Sequence, residues 1–169
     1  MKSIFFILFT ILFVACDNPS APVVSELSPT IKIDLAQGIL YEANIRQYSE
    51  EGTFEAFAKD LPKLQEMGVN ILWLMPINPI STTKSKGPLG SYYAVADYKE
   101  VNPEFGTLED LKDLVAQAHA LGIYVILDWV PGHTGWDNHW IKDHPEYYLQ
   151  NEAGEIIDPI NPFTGCLLY

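Results

Sequence analysis

Cysteine and positive charge are what this 169-residue chain has least of. It carries two cysteines, Cys16 and Cys166, and ten lysines and arginines against 22 aspartates and glutamates, a formal net charge of −12. So few basic residues leave no face for a phosphate backbone, and nucleic acid is excluded as an expected partner. No Cys-x-x-Cys or Cys/His spacing occurs, which removes a structural zinc site. A glycine-rich phosphate loop is also missing. The first strand-to-helix turn reads Gln47-Tyr48-Ser49-Glu50-Glu51-Gly52, so a dinucleotide has no cradle. What the chain does have is apolar bulk: 48% hydrophobic and 12% aromatic residues, enough for a packed core at this length and unlike a disordered composition.

Lys2 is followed by an apolar run from Ile4 to Val14, ending in Ala15-Cys16. That run is short for a bilayer span and has the form of a secretory signal. Ala15 before Cys16 resembles a bacterial lipobox, in which Cys16 becomes the lipidated first residue. The expectation is an exported, membrane-anchored lipoprotein facing the cell surface or periplasm. Residues 1–16 would be its signal peptide and 17–37 a flexible tether, opening on a Pro- and Ser-rich stretch. An ordinary cleaved signal with a chance cysteine is the competing reading. With Cys16 lipidated, Cys166 has no partner, and no intrachain disulfide is expected.

Past the tether the hydrophobic pattern alternates between two periods. Ile39 to Ile45 reads as a strand. Thr53 offers an N-cap, and Phe54, Phe57, Ala58, Leu61, Leu64 and Met67 recur at helical spacing, with Pro62 inside the pattern predicting a kink or a shorter helix. Gly68 stops it. Val69 to Met75 is nearly all apolar, as a strand covered on both faces requires, and Trp73 and Trp129 are read as core. A long Pro-, Gly-, Ser- and Tyr-rich connection from Pro76 to Gly106 leads to Thr107 and Asp110, spaced as a capping box. Leu111, Leu114, Val115, Ala118 and Leu121 then form a stripe ending at Gly122, and Ile123 to Leu127 is a third strand. A β-α-β-α-β order with right-handed crossovers opens a parallel α/β fold. The elaborated loop after the second strand, with no phosphate fingerprint after the first, favours a (β/α)8 TIM barrel over an open sheet. A barrel needs about 250 residues, so residues 38–131 would supply three of its eight strands.

Leu127-Asp128-Trp129-Val130-Pro131-Gly132-His133-Thr134-Gly135 lies where the third strand ends. In parallel α/β proteins ligands bind at the carboxyl ends of strands, so an acid and an imidazole five residues apart there mark a candidate site.

These segments resemble the alpha-amylase family of glycoside hydrolases. Asp128-Trp129-Val130-Pro131-x-His133 is similar to that family's signature at the end of the third barrel strand, and Gly68 to Ile77 to its second-strand signature. Gly90-Ser91-Tyr92-Tyr93-Ala94-Val95-Ala96-Asp97-Tyr98, followed by Val101-Asn102-Pro103-Glu104-Phe105-Gly106-Thr107, is similar to the stretch leading into its second helix. The resemblance implies a retaining glycosidase acting on alpha-glucans such as starch and maltooligosaccharides. It also implies roles: Tyr93 stacks on a glucose ring, His133 hydrogen-bonds a hydroxyl of that sugar, and Asp128 orients and supports the site. Trp136 and Trp140, in the excursion that starts at residue 132, are candidates either for further sugar contacts or for packing that excursion.

Two departures from the family pattern follow. Many members bind a structural calcium through an Asn just before the His; this chain has Gly132 there, and nothing in the spacing singles out Asp137 or Asn138 as substitutes. The nucleophile, the acid/base and the third carboxylate of the family lie on motifs that do not occur in these 169 residues. Asn161-Pro162-Phe163-Thr164-Gly165 leads to Cys166-Leu167-Leu168-Tyr169 rather than to the expected continuation. The chain is therefore expected to be an N-terminal piece of the catalytic barrel, with residues 132–169 the beginning of a truncated subdomain, and inactive alone. A non-catalytic glycan-binding lipoprotein and a non-functional gene remnant stand as alternatives.

Overall fold

The computed structural model describes residues 36–158; the signal segment, Cys16, nearly all of the tether and Cys166 lie outside them. β1 (Ile39–Ala43) leads through a short helix, α1 (Ile45–Tyr48), to α2 (Phe54–Ala58) and α3 (Leu61–Glu66). β2 (Val69–Leu74), α4 (Leu108–Ala120) and β3 (Tyr124–Leu127) follow, then α5 (Trp140–Asp143) and a 3-10 turn, Pro145–Tyr147. The strands form one parallel sheet in the order β1-β2-β3. Tyr41 pairs with Leu72 and Leu72 with Val125, which aligns the carboxyl ends of all three strands.

The helical pattern before β2 resolves into two pieces rather than one kinked helix. The break falls at Lys59-Asp60, so Pro62 lands in the first turn of α3, where a missing N–H leaves no intrahelical bond unmade. The two pieces keep one stripe: Phe54, Phe57, Leu61 and Leu64 are all buried. Thr107 caps α4 as its spacing predicts; its hydroxyl accepts from the Asp110 N–H at 3.2 Å while the Asp110 carboxylate accepts from the Thr107 N–H at 2.7 Å. Gly122 ends that helix with φ 77°, a left-handed conformation that a side chain would disfavour.

The core lies between β2 and the helices. Leu72 and Leu74 meet Phe54, Phe57, Leu114 and Ala118, with Phe105 edge-on to Phe54 at 5.9 Å. Burying such side chains supplies roughly 1.5–3 kcal/mol each. Both tryptophans read as core behave otherwise. Trp73 is half-buried, and Trp129 is 73% exposed. Trp129 follows the end of β3, where the chain leaves the sheet, so its ring walls a cavity instead of filling the core. Among the described residues, no helix is long and apolar enough to cross a membrane.

Candidate functional site

The three residues singled out at the sheet's carboxyl edge converge. Asp128 continues the ladder one rung past β3, its N–H donating to the Leu74 carbonyl at 2.9 Å. Its Oδ2 accepts a hydrogen bond from the Tyr93 hydroxyl at 3.3 Å. The His133 Nε2 lies 2.9 Å from the Tyr93 carbonyl oxygen. A carbonyl can only accept, so Nε2 carries the proton in that contact. Tyr93, 35 residues before Asp128 and 40 before His133, is thereby bonded to both: its phenol to the strand-end acid, its backbone to the imidazole. Burial, then the charge and hydrogen bond of Asp128, push the Tyr93 hydroxyl above its ordinary value of 10.0. The phenol stays a neutral donor at physiological pH.

Two connections hold this arrangement. The loop after β2 and the excursion after β3 run side by side: Gly135 N–H donates to Val95 O at 2.8 Å, and Ser81 N–H to Ala94 O at 2.8 Å. The Asp137 N–H reaches the buried Ser81 hydroxyl at 3.0 Å. Asp137 Oδ2 accepts from the backbone N–H of Thr82 and of Thr83, the latter at 3.1 Å, and from the Thr82 hydroxyl at 3.1 Å. Partial burial works against the Asp137 charge, but the Thr83 and Thr82 hydrogen bonds outweigh it and hold this carboxyl well below its ordinary 3.8. On the opposite side, the Arg46 guanidinium lies 4.7 Å above the Tyr92 ring and pairs with Glu104 at 2.8 Å, tying α1 to the tyrosine pair.

Trp136 and Trp140 help to line an open aromatic cavity of about 440 Å³, with Tyr98, Trp129, His133 and Tyr148 among its other walls. Each is also committed to packing. The Lys84 ammonium covers one face of Trp136 at 3.2 Å, and its indole N–H donates to Asp158 at 3.1 Å. Trp140 packs tilted against Tyr98 at 5.5 Å and edge-on to Tyr147 at 6.1 Å.

Tyr98, Ser81 and Arg46 are residues of the candidate site that pattern reading passes over, and Asp137 enters it only as a candidate calcium ligand. Tyr98 closes the same Gly90–Tyr98 stretch that carries Tyr93, and that was the available signal. The Tyr98 hydroxyl lies 2.5 Å from the Val130 carbonyl and 2.7 Å from the His133 carbonyl, bridging the turn that contains Gly132. Burial, then the neighbouring Tyr148, keep it protonated above the usual phenol range.

Calcium prefers six to eight oxygen ligands, and the residues here do not fit it. Gly132 supplies no side-chain oxygen. Both nearby carbonyls face the Tyr98 hydroxyl. Asp137 spends Oδ2 on three donors, and the buried Asn138 accepts from the Trp140 N–H at 3.0 Å. Among the described residues no three His, Cys, Asp or Glu side chains are grouped to hold a metal.

Residues 29–155 match the family model "Alpha amylase, catalytic domain". The chain belongs to the alpha-amylase family. The parallel sheet and its helices are accordingly part of that family's barrel fold. Over 140 residues the chain is 34% identical to an alpha-1,4-glucan:maltose-1-phosphate maltosyltransferase of Chlorobaculum tepidum, and over 145 residues 32% identical to an alpha-glucosidase of Apis mellifera. These matches cover 72% and 78% of this chain but 21% and 24% of the relatives, so it spans less than a quarter of their length. An alpha-amylase structure from Lactobacillus plantarum superposes with a TM-score of 0.71 at 41% identity, covering 76% of this chain and 30% of that one.

Proposed function

We propose that the Tyr93–Asp128–His133 cluster is the sugar-binding half of an alpha-glucan-processing site, in which Tyr93 stacks on a glucose ring and His133 bonds one of its hydroxyls. The observation that carries this reading is the direct bonding of Tyr93 to both Asp128 and His133, 35 and 40 residues further on, at the carboxyl end of a parallel sheet in an alpha-amylase family chain. An aromatic platform, an imidazole donor or acceptor and a carboxylate suit a neutral polyhydroxylated ligand, with the apolar face of the sugar on the ring and its hydroxyls on the polar groups. The relatives' names point the same way, toward alpha-1,4-glucan and alpha-glucosides.

Retaining hydrolysis needs two carboxyl groups about 5–5.5 Å apart, one of them the nucleophile. Asp128 is engaged by Tyr93 and fits orientation and electrostatic support rather than attack. The 169-residue polypeptide therefore binds sugar without cleaving it, and turnover belongs to a protein that also supplies the nucleophile and acid/base. Export and anchoring through a lipid on Cys16 complete the proposal. The test pairs maltoheptaose titration with a reducing-sugar assay on starch, both on the purified chain. Saturable binding without reducing-sugar release is expected. Starch turnover would refute the assignment of roles, and absence of both would refute the binding site.

A further inference from the structure

The alpha-amylase resemblance implies calcium beside the His133 turn, and the donor set around that turn rejects it. We propose that the segment 130–137 is held instead by a metal-free clasp, with the Tyr98 hydroxyl as the positioning group for His133 and the Asp137 carboxylate as its second anchor. Sugar binding at this site is then independent of divalent cations. That last consequence rests on the proposed glucan-binding role; the clasp itself does not.

A turn that leaves the sheet after β3 exposes carbonyl oxygens along its inner side, and each needs a donor when water is kept away. A bound cation is one solution. Here the Tyr98 hydroxyl, 2.5 and 2.7 Å from the Val130 and His133 carbonyls, is another. It has one proton for two acceptors, so the bond is shared between them, and the two carbonyls are drawn to one point. That fixes the backbone on both sides of Gly132, including the residue whose ring meets the Tyr93 carbonyl at 2.9 Å. Tyr98 is itself fixed by its ring contact with Trp140.

Four residues beyond His133, Asp137 Oδ2 gathers three donors from Thr82 and Thr83. Charge-assisted bonds of this kind are stronger than neutral ones. They bind the excursion to the loop that also carries Tyr93. A calcium ion at the turn would have to share the Val130 and His133 carbonyls with the Tyr98 hydroxyl, and would still lack a side-chain ligand from position 132. The clasp thus gives both carbonyls a donor without a cation.

Tyr98→Phe keeps the ring and removes the clasp's donor. Three measurements on the full chain decide the proposal. Calcium titration by calorimetry, and melting in calcium against chelator, should show no binding heat and no change in Tm. Calcium binding that raises Tm would overturn the clasp, whatever the glucan result. The imidazole ¹⁵N resonances of His133 should shift in Tyr98→Phe under conditions where the variant stays folded; unchanged resonances would also overturn it. Maltoheptaose affinity should fall about tenfold in Tyr98→Phe, the size expected when one buried hydrogen bond is lost. In the His133→Ala background the same substitution should cost little more, because Tyr98 acts through His133. Additive losses would make Tyr98 merely structural. Should wild type fail to bind maltoheptaose, the glucan reading falls, while the calcium and imidazole measurements still decide the clasp. Should Tyr98→Phe fail to fold, the wild-type calcium titration decides it alone.

Discussion

Gly135→Ala is the sharpest single probe of how the two loops hold the site. A Cβ built at Gly135 would lie 2.2 Å from the Ser81 Cβ, 2.7 Å from the Ala94 carbonyl and 2.9 Å from the Ser81 hydroxyl. None of these is the loose end of a flexible side chain, so the backbones must part. Overpacking of this kind costs about 1–3 kcal/mol. Parting also stretches the Gly135–Val95 and Asp137–Ser81 hydrogen bonds, each worth about 1 kcal/mol net. Together the loss is about 2–4 kcal/mol, or roughly 5–15 °C in Tm. Gly132→Ala, three residues away, is the matched control: nothing lies within 4 Å of its Cβ, and a change within about 0.5 kcal/mol is expected. Urea denaturation of both variants gives the answer. Equal midpoints for Gly135→Ala and wild type, or an equal loss at both glycines, would refute the two-loop account.

Three further outcomes follow from the same structure. Thr107→Ala removes the acceptor of the capping box on α4 and should cost about 1 kcal/mol in denaturant unfolding. Asp137 has a folded-state pKa below its ordinary 3.8, so its contribution is complete above that value and is lost as pH falls through the depressed one. Unfolding free energy should therefore drop as pH falls below about 4, roughly the carboxylate range, and drop less steeply in Asp137→Asn. If the Cys16 proposal holds, Cys16→Ala should abolish incorporation of a radiolabelled fatty acid and release the chain from the membrane fraction. Unchanged incorporation would refute it.

Much of the fold is legible from periodicity because the signals are local. The capping box at Thr107–Asp110, the apolar run of β2 and the stop at Gly122 each need only neighbouring residues, and each lands where its spacing places it. The break between α2 and α3 was half visible: Pro62 announced an interruption, but only the tertiary path shows that it starts a second helix. Trp129 misleads because hydrophobicity does not say which side of a strand end is covered; past Asp128 the chain leaves the sheet and the ring walls a cavity. Tyr93, Asp128 and His133 were legible through their motifs. Their supports were not, since Tyr98 and Asp137 act across 32 and 55 residues through backbone carbonyls and N–H groups that no side-chain pattern encodes.

The most direct test of the central claim is maltoheptaose affinity in wild type against Tyr93→Ala, with folding of both checked by thermal melting. Removing a ring that stacks on the sugar should weaken binding at least tenfold, on the order of 1.4 kcal/mol, with His133→Ala weakened in the same assay. Equal affinity for folded wild type and Tyr93→Ala would contradict the account and place sugar recognition elsewhere on the molecule.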